Sequence, residues 1–393
     1  MIDYSKILSR TVQDIKPSGI RKFFDIAATM DDVISLGVGE PDFQTPWSVR
    51  KAGITSLEKG KTKYTSNSGL EALRKEISNY IDRKCGVNYD PMGEILISVG
   101  GSEAIDATLR AIIAPGDEVI IPQPSYVCYE PITELCGGVP VIIETLAEND
   151  FKVTPEQLKN AISKKTKALI LPYPCNPTGA IMTKEELEKI AKVIIRHDLL
   201  VISDEIYAEL TYGKRHYSIA QIDGMKERTV YVSGFSKAFA MTGWRMGYVC
   251  APKEIDEAMF KIHQYGIMCA PITSQYAAIE ALKDGFSDNF ATVEEMRDSY
   301  DKRRKFVLHS LQEIGLNCFE PQGAFYAFPS VKNTPYLGEE FAERLLKEQK
   351  VAVVPGSAFG QFGENNVRLS YATSTTALSE AFDRMSAFLA KNK

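Results

Sequence analysis

The chain has 393 residues, 44% of them apolar and 25% charged, with a formal net charge of −5. That length exceeds what one hydrophobic core organises, so two domains are expected, and the ordinary composition excludes a disordered or fibrous chain. The acidic balance argues against a nucleic-acid surface, and the short run Arg303-Arg304-Lys305 sits in a helical pattern that reads as a solvated face.

Residues 1 to 45 lack a regular alternation and are expected to pack with the C-terminal part, with Pro41 and Pro46 marking the crossing. From about 94 to 250, short apolar runs alternate with helical patterns, which predicts an α/β unit with a largely parallel sheet and helices on its faces. The run at 95–99 ends at Gly100-Gly101 and opens a helix from Ser102 to about Ile113. A strand at 119–122 comes next. The run at 168–172 leads into Asn176-Pro177-Thr178-Gly179, and Thr183 with Glu186 forms a capping box that starts a helix to about His197. The strand at 199–203 ends on Asp204, the strand at 229–232 leads into Ser233 to Arg245, and another run covers 246–250. After about 254 the pattern changes to long helices, one around 287–313, with strand-like pieces at 324–328 and 351–354. The expected division is a large domain over 46–285 and a smaller α+β domain from 1–45 with 286–393.

No run approaches eighteen apolar residues, and the opening Met-Ile-Asp-Tyr-Ser-Lys carries no leader pattern, so the expected location is the cytoplasm, away from membranes. Seven scattered cysteines without a Cys-x-x-Cys pair read as reduced thiols. Four dispersed histidines predict neither a metal site nor a Ser-His-Asp triad.

Gly100, Asn176, Asp204 and Lys237 all lie just past the carboxyl ends of predicted strands, the edge where open α/β sheets bind ligands. Lys237 sits among Phe235, Ser236, Ala238 and Phe239, either snorkelling to water or desolvated for use as an amine nucleophile. Gly100-Gly101-Ser102 offers free N–H groups at a helix start to a phosphate, or is a tight turn with Ser102 as its cap. Asp204 closes an apolar strand, where a carboxylate needs a cation such as a protonated pyridine nitrogen, unless it caps a helix. Arg245 is a second cation for a phosphate. Arg368 falls on a predicted strand of the other domain, where a substrate carboxylate or a structural ion pair would match its fork. Gly37-Val38-Gly39 is no dinucleotide fingerprint, because Asp42 stands at the third glycine position.

The order and spacing of Gly39-Glu40-Pro41-Asp42-Phe43, Lys63-Tyr64, Gly100-Gly101-Ser102, Asn176-Pro177-Thr178-Gly179, Ser203-Asp204-Glu205-Ile206-Tyr207, Ser236-Lys237 with Met241 to Arg245, Gly323 to Tyr326 and Val367 to Ala372 carry a resemblance. Over essentially its whole length the chain resembles the class I pyridoxal-phosphate-dependent aminotransferases of fold type I. The resemblance implies a large domain with a mostly parallel seven-stranded sheet plus the smaller α+β domain, and pyridoxal 5'-phosphate as cofactor. It implies Lys237 as the residue that forms the internal aldimine and shuttles a proton, with Asp204 on the pyridine nitrogen and Asn176 and Tyr207 on the 3′ oxygen. Gly101, Ser102, Glu103, Ser236 and Arg245 would bind on the phosphate side, joined by Tyr64 from the partner of a homodimer with shared active sites. Tyr126 would stack on the ring, Arg368 would grip the substrate α-carboxylate, and Gly39 would close over it. No metal is implied.

The resemblance leaves the donor open. The implied reaction moves the amino group of an L-amino acid, aromatic or broadly chosen, to a 2-oxo acid, 2-oxoglutarate being favoured. Arg21 or Lys22 is the candidate cation for an acidic donor, and the stretches 18–23 and 171–179 look similar to aromatic and N-acetyl-diaminopimelate aminotransferases. The alternatives are an aspartate or N-acetyl-LL-diaminopimelate aminotransferase, a carbon–sulfur lyase on the same fold, and a non-catalytic pyridoxal-phosphate-binding regulator. The last would need a DNA-binding appendage for which the sequence has neither spare length nor a basic patch.

Overall fold

Apolar runs of four to six residues form the central sheet of the computed structural model, which describes residues 2–17, 19–20 and 29–392. A short β1 (Ile34–Ser35) precedes it. The sheet comprises β2 (Ile95–Ser98), β3 (Glu118–Gln123), β4 (Val139–Glu144), β5 (Thr166–Leu171), β6 (Leu200–Asp204), β7 (Thr229–Gly234) and β8 (Gly247–Cys250). Their spatial order is β2-β8-β7-β6-β5-β3-β4, with β8 antiparallel to both neighbours and the remaining pairings parallel. Parallel strands bury both faces, which is why they read as continuous apolar runs. On one face Leu169 and Val201 pack against Leu187, Ile190 and Ile194 of the helix Lys184–Arg196. On the other, Ile121, Ile170 and Val230 meet Ile105 and Leu109 of the helix Gly100–Ile112. The capping box expected at Thr183 and Glu186 is formed in both directions.

The remaining strands are β9 (Tyr326–Ala327), β10 (Val351–Ala352), β11 (Val354–Pro355) and β12 (Val367–Ser370). An antiparallel sheet of order β11-β12-β9 lies against the helices Ala291–Glu313, Gly338–Gln349 and Thr375–Lys391, through a core that includes Tyr300, Phe325, Phe341 and Phe388. β1 pairs in parallel with β10, and Leu36 joins the same core. The link between the N-terminal stretch and the C-terminal part is thus made by Ile34 to Leu36. The short helix Arg10–Asp14 instead rests against the helix Tyr129–Leu135.

The long helix expected around 287–313 is present as Ala291–Glu313, a few residues later at its start. One helix ends at Asp288, Asn289 and Phe290 take positive φ of 58° and 60°, and the next begins at Ala291. The break is a consequence of packing: the Phe290 ring lies where any side chain at Gly285 would stand. Among the described residues no helix is long and apolar enough to cross a membrane.

The carboxyl ends of β2, β5, β6 and β7 share one edge, and Gly247 holds that edge closed. A Cβ at Gly247 would lie 2.5 Å from the Gly100 carbonyl carbon and 2.8 Å from Ser98 Oγ. Because the obstacle is backbone, Gly247→Ala should cost about 1–3 kcal/mol and lower the apparent Tm. A melt identical to wild type would show that the turn at Gly100 yields freely.

Candidate active site

The shared strand edge opens onto a cavity of about 680 Å³. Gly101, Ser102, Asn176, Asp204, Tyr207 and Lys237 come to it from the central sheet. Gly39 reaches it from the segment after β1, while Tyr326 and Arg368 reach it from β9 and β12. Groups from distant parts of the sequence therefore converge on one wall-to-wall space.

Asp204 is the last residue of β6 and is buried. Its Oδ2 accepts the Tyr129 hydroxyl at 2.7 Å and its Oδ1 accepts the Ile206 N–H at 3.2 Å. No cation among the described residues stands at ion-pair distance from it. Burial raises its pKa, and the two hydrogen bonds act against that rise. The helix-cap reading does not apply, since no regular helix comes directly after β6.

Lys237 lies just past β7 and donates to the Gly39 carbonyl at 2.6 Å, with the rings of Tyr207 and Phe325 each within 6 Å of its ammonium, at 5.8 and 5.7 Å. Desolvation is the main reason its pKa falls to about 8; Arg368 and Arg245 push the same way, and Glu40 opposes them. The residue is thus an amine within reach of neutrality, which is what a nucleophile for an aldehyde requires.

Arg368 is buried, donating from Nη1 to Asn176 Oδ1 at 2.9 Å and from Nη2 to the Gly37 carbonyl at 2.6 Å. Its guanidinium lies 4.3 Å from the Tyr326 ring centroid, and its Nε is buried without a partner. Among the described residues no carboxylate pairs with it, so the structural ion pair left open by the sequence is not formed. A buried guanidinium held only by neutral oxygens and ring faces is a receptor for an anion.

A candidate anion cradle is built at Gly100, whose φ of +78° and lack of a Cβ admit the Arg245 guanidinium: a Cβ there would lie 2.5 Å from Nη2. Arg245 and Ser236 line the same cavity. A helix start, a hydroxyl and a guanidinium converge, the donor set an anion needs. Tyr126 lines the cavity with its ring edge-on to Tyr129 at 5.8 Å. The Tyr207 hydroxyl lies 2.9 Å from that of Tyr326.

Two further candidate positions lie outside this chain's cavity. Glu103 does not line the cavity: its carboxylate accepts the Val99 N–H at 2.7 Å and faces His263 Nδ1 at 2.8 Å. Its side chain braces the helix start from behind, which leaves its backbone as the part that faces the helix N-terminus. Tyr64 is exposed and outside this chain's cavity. Arg21 and Lys22 lie outside the described residues. Sequence reasoning missed Tyr326, Tyr129 and Glu40 as cavity residues. Tyr326 and Glu40 lie within quoted motifs, but nothing in their spacing distinguishes a cavity wall from a core.

The arrangement fits pyridoxal 5'-phosphate on its own terms: an amine of lowered pKa, a buried carboxylate lacking a cation, and an anion cradle share one cavity. Comparison with known proteins agrees. Residues 31–385 match the family model for aminotransferase class I and II. The chain belongs to that family. The aspartate aminotransferase of Pyrococcus abyssi is 49% identical over 380 residues, covering 96% of this chain and 97% of its own. The aromatic-amino-acid aminotransferase 2 of Thermococcus litoralis is 45% identical over 387 residues, covering 98% and 99%. The solved aromatic aminotransferase from Pyrococcus horikoshii superposes with a TM-score of 0.89 at 48% identity, covering 94% and 99%. The chain is accordingly a pyridoxal-phosphate-dependent aminotransferase with the fold type I architecture, and its activity is amino transfer between amino and oxo acids.

Two measurements probe the site. Below a pKa of about 8 Lys237 is protonated and cannot attack an aldehyde, so the rate of cofactor capture by the apo enzyme should rise with pH and level off above about 8. A rate still climbing at about pH 10, the ordinary lysine range, would show that the cavity does not desolvate the amine. Arg368→Lys keeps the charge but loses the fork, and should lower kcat/KM for the amino donor by about 30- to 100-fold. An unchanged value would place the carboxylate elsewhere.

Proposed function

We propose that this aminotransferase takes its nitrogen from an aromatic or broadly chosen L-amino acid and passes it to 2-oxoglutarate. The observation that carries the donor is the composition of the cavity. Lys237, Arg245 and Arg368 are its cations among the described residues, and Ile20, Val127, Pro172 and Pro174 add apolar wall beside the acids Asp204 and Glu40 and the neutral polar side chains. An apolar or aromatic side chain is accommodated there without leaving a charge unpaired.

In this reading Arg368 binds the α-carboxylate, with Asn176 fixing the guanidinium through its Oδ1. Asp204 would hold the ring nitrogen, Tyr207 and Asn176 the 3′ oxygen, and Gly101, Ser102, Ser236 and Arg245 the phosphate. When bound, pyridoxal phosphate supplies the aldehyde that takes up the amino group and the ring that withdraws electrons from the α-carbon. Lys237 would hold the cofactor at rest and, once freed by the incoming amine, its Nζ would take up the proton from the substrate α-carbon. Tyr126, which lines the cavity, would cover one face of the ring and keep water from it.

Both substrates occupy one pocket in turn, so the distal carboxylate of 2-oxoglutarate must meet a donor as well. Arg21 and Lys22, next after Ile20 in sequence, are the residues proposed for it. The same pair would serve an acidic donor, the reading favoured by the relative named aspartate aminotransferase. We further propose a homodimer in which Tyr64 completes the phosphate end of the partner's site. Its 81% exposure, with Trp47, Ile54, Leu57 and Tyr265 also exposed, supports that assembly. Seven free thiols fit the reducing cytoplasm.

The test adds tyrosine, phenylalanine, aspartate, glutamate and N-acetyl-LL-diaminopimelate singly to the loaded enzyme, without an oxo acid, and tracks the near-visible absorption of the cofactor. Conversion by the aromatic compounds is expected. Conversion by aspartate or N-acetyl-LL-diaminopimelate alone would overturn the donor assignment. Pyruvate and ammonia formed without an acceptor would reveal a lyase.

A further inference from the structure

Tyr129 opens the helix Tyr129–Leu135 and is 2% exposed, with its hydroxyl aimed out of its own helix at Asp204. The phenol has one hydrogen-bond partner, Asp204 Oδ2 at 2.7 Å, and its ring meets the Tyr126 ring edge-on. Its backbone carbonyl is occupied separately, accepting the Thr133 hydroxyl at 2.8 Å. Burial drives the phenol's own pKa far up, so it stays protonated and acts toward a carboxylate as a donor.

We infer that Tyr129 is a positioning residue of amino transfer: its hydroxyl holds Asp204 as an oriented anion, so that the proton shared with the cofactor's ring nitrogen stays on the nitrogen. This rests on the proposed placing of Asp204 at that nitrogen. The physical argument is that, among the described residues, two neutral donors, Tyr129 O–H and Ile206 N–H, hold the buried carboxylate in hydrogen bonds. The Ile206 bond is the longer, at 3.2 Å, and it comes from backbone two residues away. Tyr129 is therefore the side chain that opposes desolvation. The other groups facing Asp204 are Glu205, next in the chain, which disfavours its ionisation, and Lys237, which favours it. The Cys128 and Cys175 thiols and the Tyr126 phenol also feel its charge. None of these is altered by removing the Tyr129 hydroxyl alone.

The test uses Tyr129→Phe, which keeps the ring against Tyr126. In the apo enzyme, the infrared carbonyl band of protonated Asp204, identified by its loss in Asp204→Asn, should titrate about one to two pH units higher than in wild type. In the loaded enzyme kcat should fall about tenfold or more, with KM within about twofold. Installing 3-fluorotyrosine at position 129, a stronger donor of the same shape, should move the titration the opposite way; this arm decides the matter should Tyr129→Phe fold poorly. Thr133→Val, which removes only the hydroxyl bound to the Tyr129 carbonyl, should leave both readouts at wild-type values. Titration midpoints insensitive to Tyr129→Phe and to the fluorinated residue would overturn the inference. Full turnover by Asp204→Asn would instead overturn the placing of Asp204 at the nitrogen, and the apo titration would still score Tyr129.

Discussion

The structure depends on keeping ionisable groups in one cavity from neutralising each other. Removing a charge from water costs several kcal/mol, and the cheapest remedy for Asp204, Lys237 and Arg368 would be to pair. They do not. Asp204 is held by a hydroxyl and an N–H, Arg368 by an amide oxygen and the Gly37 carbonyl, and Lys237 by the Gly39 carbonyl. Each charge is oriented by neutral dipoles, which leaves its full field available to a ligand.

That restraint explains the division of labour between the sheets. Asp204 and Lys237 are fixed by adjacent strands β6 and β7, while Arg368 is carried by β12 in the other sheet. The segment after β1 bridges them, since Gly37 and Gly39 supply the carbonyls for Arg368 and Lys237 respectively. At Gly39 a Cβ would lie 2.7 Å from the Tyr326 hydroxyl, so glycine is what lets this bridge approach β9. The pairing of β1 with β10 and the burial of Leu36 anchor the bridge just upstream.

The strand ends are legible in the sequence because buried parallel strands announce themselves as apolar runs, and the residues at their carboxyl ends face the ligand edge. Gly100, Asn176, Asp204 and Lys237 are recognisable that way. β4 is not: it is an edge strand, contains Pro140 and is mostly half-buried or exposed, so it lacks the signal of its neighbours. The break at Phe290 depends on a ring filling the space left by Gly285, a tertiary contact with no local turn signature. The bracing role of the Glu103 side chain is not legible locally. Its partner His263 lies 160 residues away in sequence. Tyr129 and Tyr326 are invisible as site residues for the converse reason, since a buried tyrosine's role is set by the partner of its hydroxyl.

The charge balance of the cavity matches the chemistry it must hold. Lys237, Arg245 and Arg368 line it together with Asp204 and Glu40, an excess of positive over negative groups. A phosphate and an α-carboxylate bring negative charge, and in the proposed reading they would bind at the two arginines, Arg245 past β7 and Arg368 on β12. Both arginines lower the pKa of Lys237, whereas Glu40 raises it. Filling the phosphate and carboxylate positions would therefore weaken the two cationic influences that lower the pKa of the amine. Desolvation is the larger cause and strengthens when ligands exclude water, so it compensates for that loss. The lysine is poised by burial rather than by its charged neighbours, which lets the same amine stay usable with the cavity open to solvent or filled.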